Sequence, residues 1–288
     1  MNAIPTSKPS RPPLPELLLP VLLALAAAGC APGEERLEIT GSSTLAPLFN
    51  ALGERYEEHT GTRVDVQSGG TGRGINDVAT GMAPLAMASR RLTAEERDAG
   101  LREAVIGRDA VVPIVHADNP VGTLTDQQVM DTFRGNSSHW PESTNEEQRG
   151  SGKGPPVTVV NKSEGRATLA AFLEHFALEN SEISADIVAG ENEQVIRSVA
   201  GNPGAIGYVS LAPALAAERR GDISRVALEG QEASLEAVRE DRYPLVRDLV
   251  LVTPEKPDAL TRDFMDFIRE PEQQELISDH SFIPVGQE

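Results

Sequence analysis

Four short segments of this sequence hold residue types that grip anions: Gly41-Ser42-Ser43-Thr44, Gly69-Gly70-Thr71-Gly72-Arg73-Gly74, Ser89-Arg90, and Asn161-Lys162-Ser163-Glu164-Gly165-Arg166-Ala167-Thr168. The first-turn N–H groups of a helix have no intrahelical partner, and the positive end of the helix dipole faces the same way, so a helix start preceded by Ser, Thr or Gly favours negative charge. Ser43 or Thr44 reads as the N-cap of a helix whose apolar positions are Leu45, Leu48, Phe49, Leu52 and Tyr56. The glycine-rich segment repeats the arrangement, and several such termini together would hold an oxyanion largely by neutral dipoles. The fourth segment adds full charges. An arginine at a helix start opposes the dipole, so Arg166 calls for an anionic ligand or a carboxylate such as Glu164.

Each segment follows a strand pattern and precedes a helical one. Arg36 to Thr40 and Val64 to Gln67 alternate apolar and polar residues, Leu85 to Ala88 is apolar throughout, and Val157 to Val160 leads into the charged loop. Hydroxyl-rich loops recurring at strand C-termini lie on the usual ligand edge of an open α/β sheet. Thr93-Ala94-Glu95-Glu96 forms a capping-box signature behind Ser89-Arg90. Further helices are expected at Asp126 to Phe133 behind Thr125, at Leu169 to Phe176, at Gln194 to Val199 and at Thr261 to Ile268. The apolar runs Val111 to Val115 and Leu249 to Val252 read as two crossover strands between two lobes. Residues 141–156 are rich in turn formers and read as an exposed loop. The glycine spacing fits neither the dinucleotide fingerprint nor the P-loop.

Composition narrows the partners. The chain has 288 residues and a formal net charge of −18, which disfavours nucleic acid and anionic membrane surfaces. Lys8 and Arg11 precede an apolar stretch from Leu17 to Ala28 that ends at Ala28-Gly29-Cys30, the layout of a signal segment over 1–29. Cys30, the single cysteine, resembles the lipid-bearing residue of a bacterial lipoprotein, with 30–36 as linker, so an exported, membrane-anchored lipoprotein is expected. The five histidines are scattered without metal spacing, and no G-x-S-x-G elbow occurs. No enzyme, metal or cofactor is therefore expected, and Trp140 reads as a packing residue.

Gly41-Ser42-Ser43-Thr44-Leu45-Ala46-Pro47, Gly69 to Ile75, Met87-Ala88-Ser89-Arg90 and Pro203-Gly204-Ala205-Ile206-Gly207-Tyr208-Val209-Ser210 resemble, in order, the PstS-like phosphate-binding proteins of ABC transporters. Asp118-Asn119-Pro120, Leu124-Thr125 and Phe133 with Gly135 extend the likeness. The resemblance implies an α/β, type II periplasmic-binding fold. Its two lobes would be 37–113 plus 249–288 and 114–248, joined by two crossovers and closing on phosphate. It implies ligand donors at Thr44 with the Leu45 backbone, Thr71, Ser89 and Thr168; Ser43, Arg90, Lys162 and Arg166 complete the expected set. Permease subunits would be the protein partners of a monomeric receptor. Two departures stand out. Arg90 occupies the place of an Asp found in many members, and the familiar Arg-x-x-x-Ser-Gly-Thr loop reads Lys162 to Thr168. An Asp would accept the proton of HPO₄²⁻, which sulfate lacks. A general tetrahedral-oxyanion receptor, or an anion-sensing lipoprotein without a transporter, is accordingly the alternative.

Overall fold

In a computed structural model, which describes residues 35–141 and 154–285, the loops identified above gather at one edge of a mixed sheet. The signal segment, Cys30 and most of the 141–156 loop lie outside the described residues. Contacts divide the chain into Met1–Glu35, of which only Glu35 is described, and Arg36–Glu288, which carries every element below.

The first half of the chain runs through β1 (Arg36–Gly41), α1 (Ala46–Thr60), β2 (Arg63–Ser68), α2 (Thr71–Ala79), β3 (Leu85–Ala88) and α3 (Ala94–Asp98). The long strand β4 (Leu101–His116), β5 (Thr123–Leu124) and α4 (Asp126–Phe133) follow. Next come β6 (Thr158–Lys162), α5 (Ala167–His175), β7 (Ile187–Ala189), α6 (Asn192–Ala200), β8 (Ala205–Ser210) and α7 (Leu211–Arg220). The chain closes with β9 (Ile223–Arg225), β10 (Ala227–Leu228), α8 (Leu235–Arg239), β11 (Val246–Pro254), α9 (Ala259–Ile268), α10 (Pro271–Asp279) and β12 (Ile283–Pro284). The main path of the sheet is β2-β1-β3-β11-β4-β8-β6-β7.

Strand β4 belongs to both halves of this sheet. Its first part pairs antiparallel with β11, and its second part, Val111–Val115, pairs antiparallel with β8. The expected crossover segments therefore lie on β4 and β11 but do not pair with each other: Leu249–Val252 lies opposite residues 103–107. At the passage between halves the direct partners are Ala110 with Val246 and Asp109 with Arg247. The charged pairs Arg108-Asp109 and Arg247-Asp248 interrupt the apolar runs, which is why the sequence pattern stops short of the junction.

Each half is covered on both faces. On β11, Leu249 and Leu251 join Leu48, Phe49 and Phe264 in one core, while Val250 and Val252 join Ile75, Val78 and Leu92 in another. On β8, Ile206 and Tyr208 pack with Phe133, Trp140 and Phe172, while Ala205 and Val209 pack with Val195 and Val199. Alternation across the strands sends successive side chains to opposite layers, giving a two-lobed, three-layer α/β architecture. Trp140 is buried in the core and its Nε1 donates to the Gly204 carbonyl at 2.8 Å, as a packing residue should.

The short helices carry the caps the sequence announces. Thr93 with Glu96 and Thr125 with Gln128 both form capping boxes. Among the described residues no helix is long and apolar enough to cross a membrane.

Candidate functional site

The loops that follow β1, β2 and β6 and the starts of α2, α5 and α6 enclose a small cleft. Ser42, Ser43 and Thr44 line it on one side together with Gly70 and Thr71. Lys162, Arg166, Ala167, Thr168, Gly190 and Asn192 line the other, and Arg247 of β11 reaches in from the junction.

The loop after β1 does not cap α1 as expected. The N-cap is Leu45, in helical geometry with no side-chain cap bond, and its N–H donates to the Ser42 carbonyl at 3.2 Å. The Leu45 amide is thus turned to Ser42, and Leu45 is not among the residues that line the cleft. Thr44 is thereby released for the cleft. Its Oγ1 accepts from Asn192 Nδ2 at 3.3 Å and from Arg247 Nη2 at 3.2 Å, and lies 2.8 Å from Ser210 Oγ. Two N–H donors fill the lone pairs of this oxygen, so its own hydrogen points to Ser210 or into the cleft.

The glycine-rich loop works by close approach. Gly70, the N-cap of α2, has φ +99°, a left-handed conformation that favours glycine. At Gly74 a Cβ would fall 2.5 Å from the Gly41 Cα, so α2 rests directly on the end of β1. That contact sets Thr71 in the cleft, where its Oγ1 accepts the Ser89 N–H at 3.1 Å and keeps its own hydrogen to donate.

Ser89 and Arg90 part company. Ser89 is fully buried, with its Oγ 2.6 Å from Ser42 Oγ, and supports the wall without lining it. Arg90 turns away and forms two 2.8 Å contacts with Glu96. Ser89 and Arg90 lie in the bend after β3, where the two side chains leave the chain in different directions. Ser43, Thr44, Thr71, Lys162, Arg166 and Thr168 are brought together; Leu45, Ser89 and Arg90 are not.

Arg166 is the N-cap of α5 and pairs with Glu191 at 2.7 Å, not with Glu164, which accepts instead from Asn180. Lys162 is buried, and its Nζ donates to Asn192 Oδ1 at 2.9 Å. Burial, reinforced by Arg247 and Arg166 and opposed by Glu191, pushes the Lys162 ammonium down to about 7. Burial also holds the neighbouring Tyr208 phenol well above its ordinary range; that hydroxyl donates to Asn161 and receives the Lys162 N–H.

Arg247, Asn192 and Ser210 escape the sequence reading. Arg247 is buried, meets Asp109 Oδ2 through Nε at 3.1 Å and Nη2 at 2.8 Å, and also donates from Nη2 to Ser210 Oγ at 2.5 Å. Its Nη1 and the Asp109 Oδ1 have no hydrogen-bond partner among the described residues. A signal existed: Leu245, Arg247, Leu249 and Leu251 alternate on one face, so the arginine stands at an inward position of an apolar strand.

The cleft thus presents hydroxyls, helix-start amides and three cationic side chains, with neither carboxylate nor histidine among its lining residues. Such a surface can enclose a small tetrahedral oxyanion.

A pocket set between two α/β halves joined by antiparallel crossover strands defines a protein of the two-lobed periplasmic-binding class. The chain belongs to the PBP superfamily: the model of the PBP superfamily domain matches residues 26–272. A phosphate-binding protein PstS of Bacillus subtilis (strain 168) is 27% identical over 265 residues, covering 88% of this chain and 84% of the relative. Among solved structures, a phosphate ABC transporter substrate-binding protein of Clostridium perfringens, determined with bound phosphate, is 28% identical with a TM-score of 0.78. That alignment covers 87% of this chain and all of the neighbour. An ABC-type phosphate transport receptor of Vibrio cholerae is 25% identical with a TM-score of 0.68, over 86% of this chain and 99% of the neighbour.

Proposed function

We propose that this chain is an exported binding protein that captures inorganic phosphate between its lobes and delivers it to an ABC transporter permease, with no catalytic step. The observation that carries the reading is the convergence of Lys162, Arg166 and Arg247 with Thr44, Thr71 and Thr168 on one small cleft lined by no carboxylate. The names of the relatives from Bacillus subtilis, Clostridium perfringens and Vibrio cholerae support phosphate as the ligand. In this reading Thr44, Ser43 and Thr71 donate from the lobe formed by 37–113 and 249–288. Lys162, Arg166 and Thr168 donate from the lobe formed by 114–248. Arg247 donates from the junction through Nη1.

Cys30 would carry the lipid that tethers a monomeric receptor to the membrane, and mass spectrometry of the mature N-terminus tests that assignment: an unmodified Cys30 refutes it. Among the described residues the lining includes no carboxylate, which favours a second reading, a receptor for tetrahedral oxyanions in general, because no lining group is anionic to accept a phosphate proton. Competition of sulfate, arsenate and molybdate against phosphate separates the two, since only the general receptor would bind all of them comparably.

A further inference from the structure

Lys162 sits at the C-terminal end of β6 with three ammonium hydrogens to place and, among the described protein groups, one acceptor, Asn192 Oδ1 at 2.9 Å. The residue is 2% exposed, so little solvent reaches it. Every charged group that acts on it is committed elsewhere. Arg247, from β11, is held by Asp109 of β4; Arg166, from the start of α5, is held by Glu191, just ahead of α6. From β8 the Tyr208 hydroxyl is engaged by the Lys162 backbone N–H and by Asn161. A buried ammonium that feels two guanidinium groups and has no paired carboxylate among the described residues is a charge the protein stabilises poorly. A dianion in the cleft changes that balance, because it adds acceptors and negative charge at the same point.

We infer that Lys162 couples anion capture to proton uptake: when an oxyanion dianion enters the cleft, Nζ takes one proton from a buffer acid, forming a fourth bond to nitrogen while the conjugate base stays in solvent. The inference rests on the phosphate reading above and goes beyond it. It makes the receptor sensitive to pH through its own side chain, separately from the ionisation of the ligand. The burial that pushes Lys162 down to about 7 fixes the window. Below that pH the ammonium is already present and binding takes up little; above it the amine is neutral and binding must charge it. Affinity for the dianion should accordingly fall by up to about tenfold per pH unit as pH rises from 7 to 9.

The test is calorimetry of the purified, ligand-stripped protein with inorganic phosphate at about pH 8, in buffers of different ionisation enthalpy. Phosphate is then chiefly its dianion. Wild type should take up roughly nine-tenths of a proton per phosphate, and Lys162→Arg, charged throughout, should bind with none. Saturable phosphate binding without proton uptake overturns the role of Lys162 and leaves the phosphate reading standing. Uptake that persists in Lys162→Arg places the proton on the phosphate and also overturns it. Absence of phosphate binding by the wild type overturns both readings. A second measurement needs no variant to fold. The chain has four lysines, Lys8, Lys153, Lys162 and Lys256, so lysine-labelled NMR can follow each side chain. One lysine should titrate near neutrality without phosphate and stay protonated through pH 9 with it; ordinary titration of every lysine in both states overturns the assignment.

Discussion

Arg247 and Asp109 stand directly opposite one another on the antiparallel strands β11 and β4, and their side chains close a 2.8 Å ion pair at the passage between the two halves of the sheet. The pair is nearly sealed from solvent, with side-chain exposures of 4% and 0%. It fixes the guanidinium whose Nη2 reaches both Thr44 and Ser210. One side chain therefore carries the structural ion pair and, in the proposed site, a donor to the anion.

Removing a single partner leaves a buried charge uncompensated, so Asp109→Leu or Arg247→Met should each destabilise the protein by about 3–5 kcal/mol. The double variant Arg247→Met/Asp109→Leu should recover most of that loss yet bind phosphate weakly. Denaturant melts and calorimetry on all three check this; a double variant that binds like wild type would remove Arg247 from the ligand set.

Arg166→Ala should weaken phosphate binding at least about thirtyfold, because it deletes a partly buried donor and strands Glu191 beside the cleft (~2 kcal/mol). Thermal stability should change little, since the pair retains some exposure, 18% on the arginine side. An unchanged dissociation constant would place Arg166 outside the site.

Arg90→Ala is the control that the geometry supplies. Its guanidinium serves Glu96, so phosphate affinity should stay within twofold and stability should drop by about 1 kcal/mol or less. A large loss of affinity would restore Arg90 as a ligand.

The Gly72 N–H donates to the Gly165 carbonyl at 3.1 Å, tying the glycine-rich loop to the charged loop across the cleft. A Cβ at Gly72 would meet the Gly165 Cα at 3.4 Å, ordinary contact, whereas a longer side chain would wedge the loops apart. Gly72→Leu should lower affinity about fivefold or more, the worth of one hydrogen bond near 1 kcal/mol. Small-angle scattering should show a larger radius of gyration at saturating phosphate than in wild type; an identical radius and affinity would show that the contact does not hold the lobes.

The depressed Lys162 also links stability to pH. Unfolded, this lysine binds its proton up to about 10.5; folded, it releases it near 7. Between these values the unfolded state holds more protons, so stability of the ligand-free protein rises with pH, and the full cost of burying the ammonium is felt below 7. Relative to Lys162→Met, wild type should gain stability steadily from pH 7 to 10. Parallel curves for the two proteins would contradict the shift.

Local signals explain what the sequence made legible. Strand alternation followed by Gly, Ser or Thr and then a helical apolar face located the loops at Ser43-Thr44, Gly70-Thr71 and Lys162 to Thr168, because each unit is specified by neighbours within a few residues. Asp109, Asn192, Ser210 and Arg247 acquire their roles from contacts between distant strands, which no local pattern encodes. Arg90 shows a related effect: closeness in sequence to Ser89 says nothing about where its side chain turns, and in the structure it meets Glu96. The first part of β4 was missed because Arg102, Glu103, Arg108 and Asp109 interrupt its apolar pattern, and because the ladder shifts register between Leu249 and Val250 opposite Val105 and Gly107.

The central claim is that the cleft between the lobes is a phosphate site. Calorimetric titration of the ligand-stripped protein with phosphate, followed by sulfate, arsenate and molybdate, tests it most directly. The account expects one saturable phosphate site per chain, lost together with Arg166 and preserved without Arg90. A protein that takes up no phosphate, or whose phosphate binding is untouched by Arg166→Ala and the Arg247→Met/Asp109→Leu pair, would contradict it.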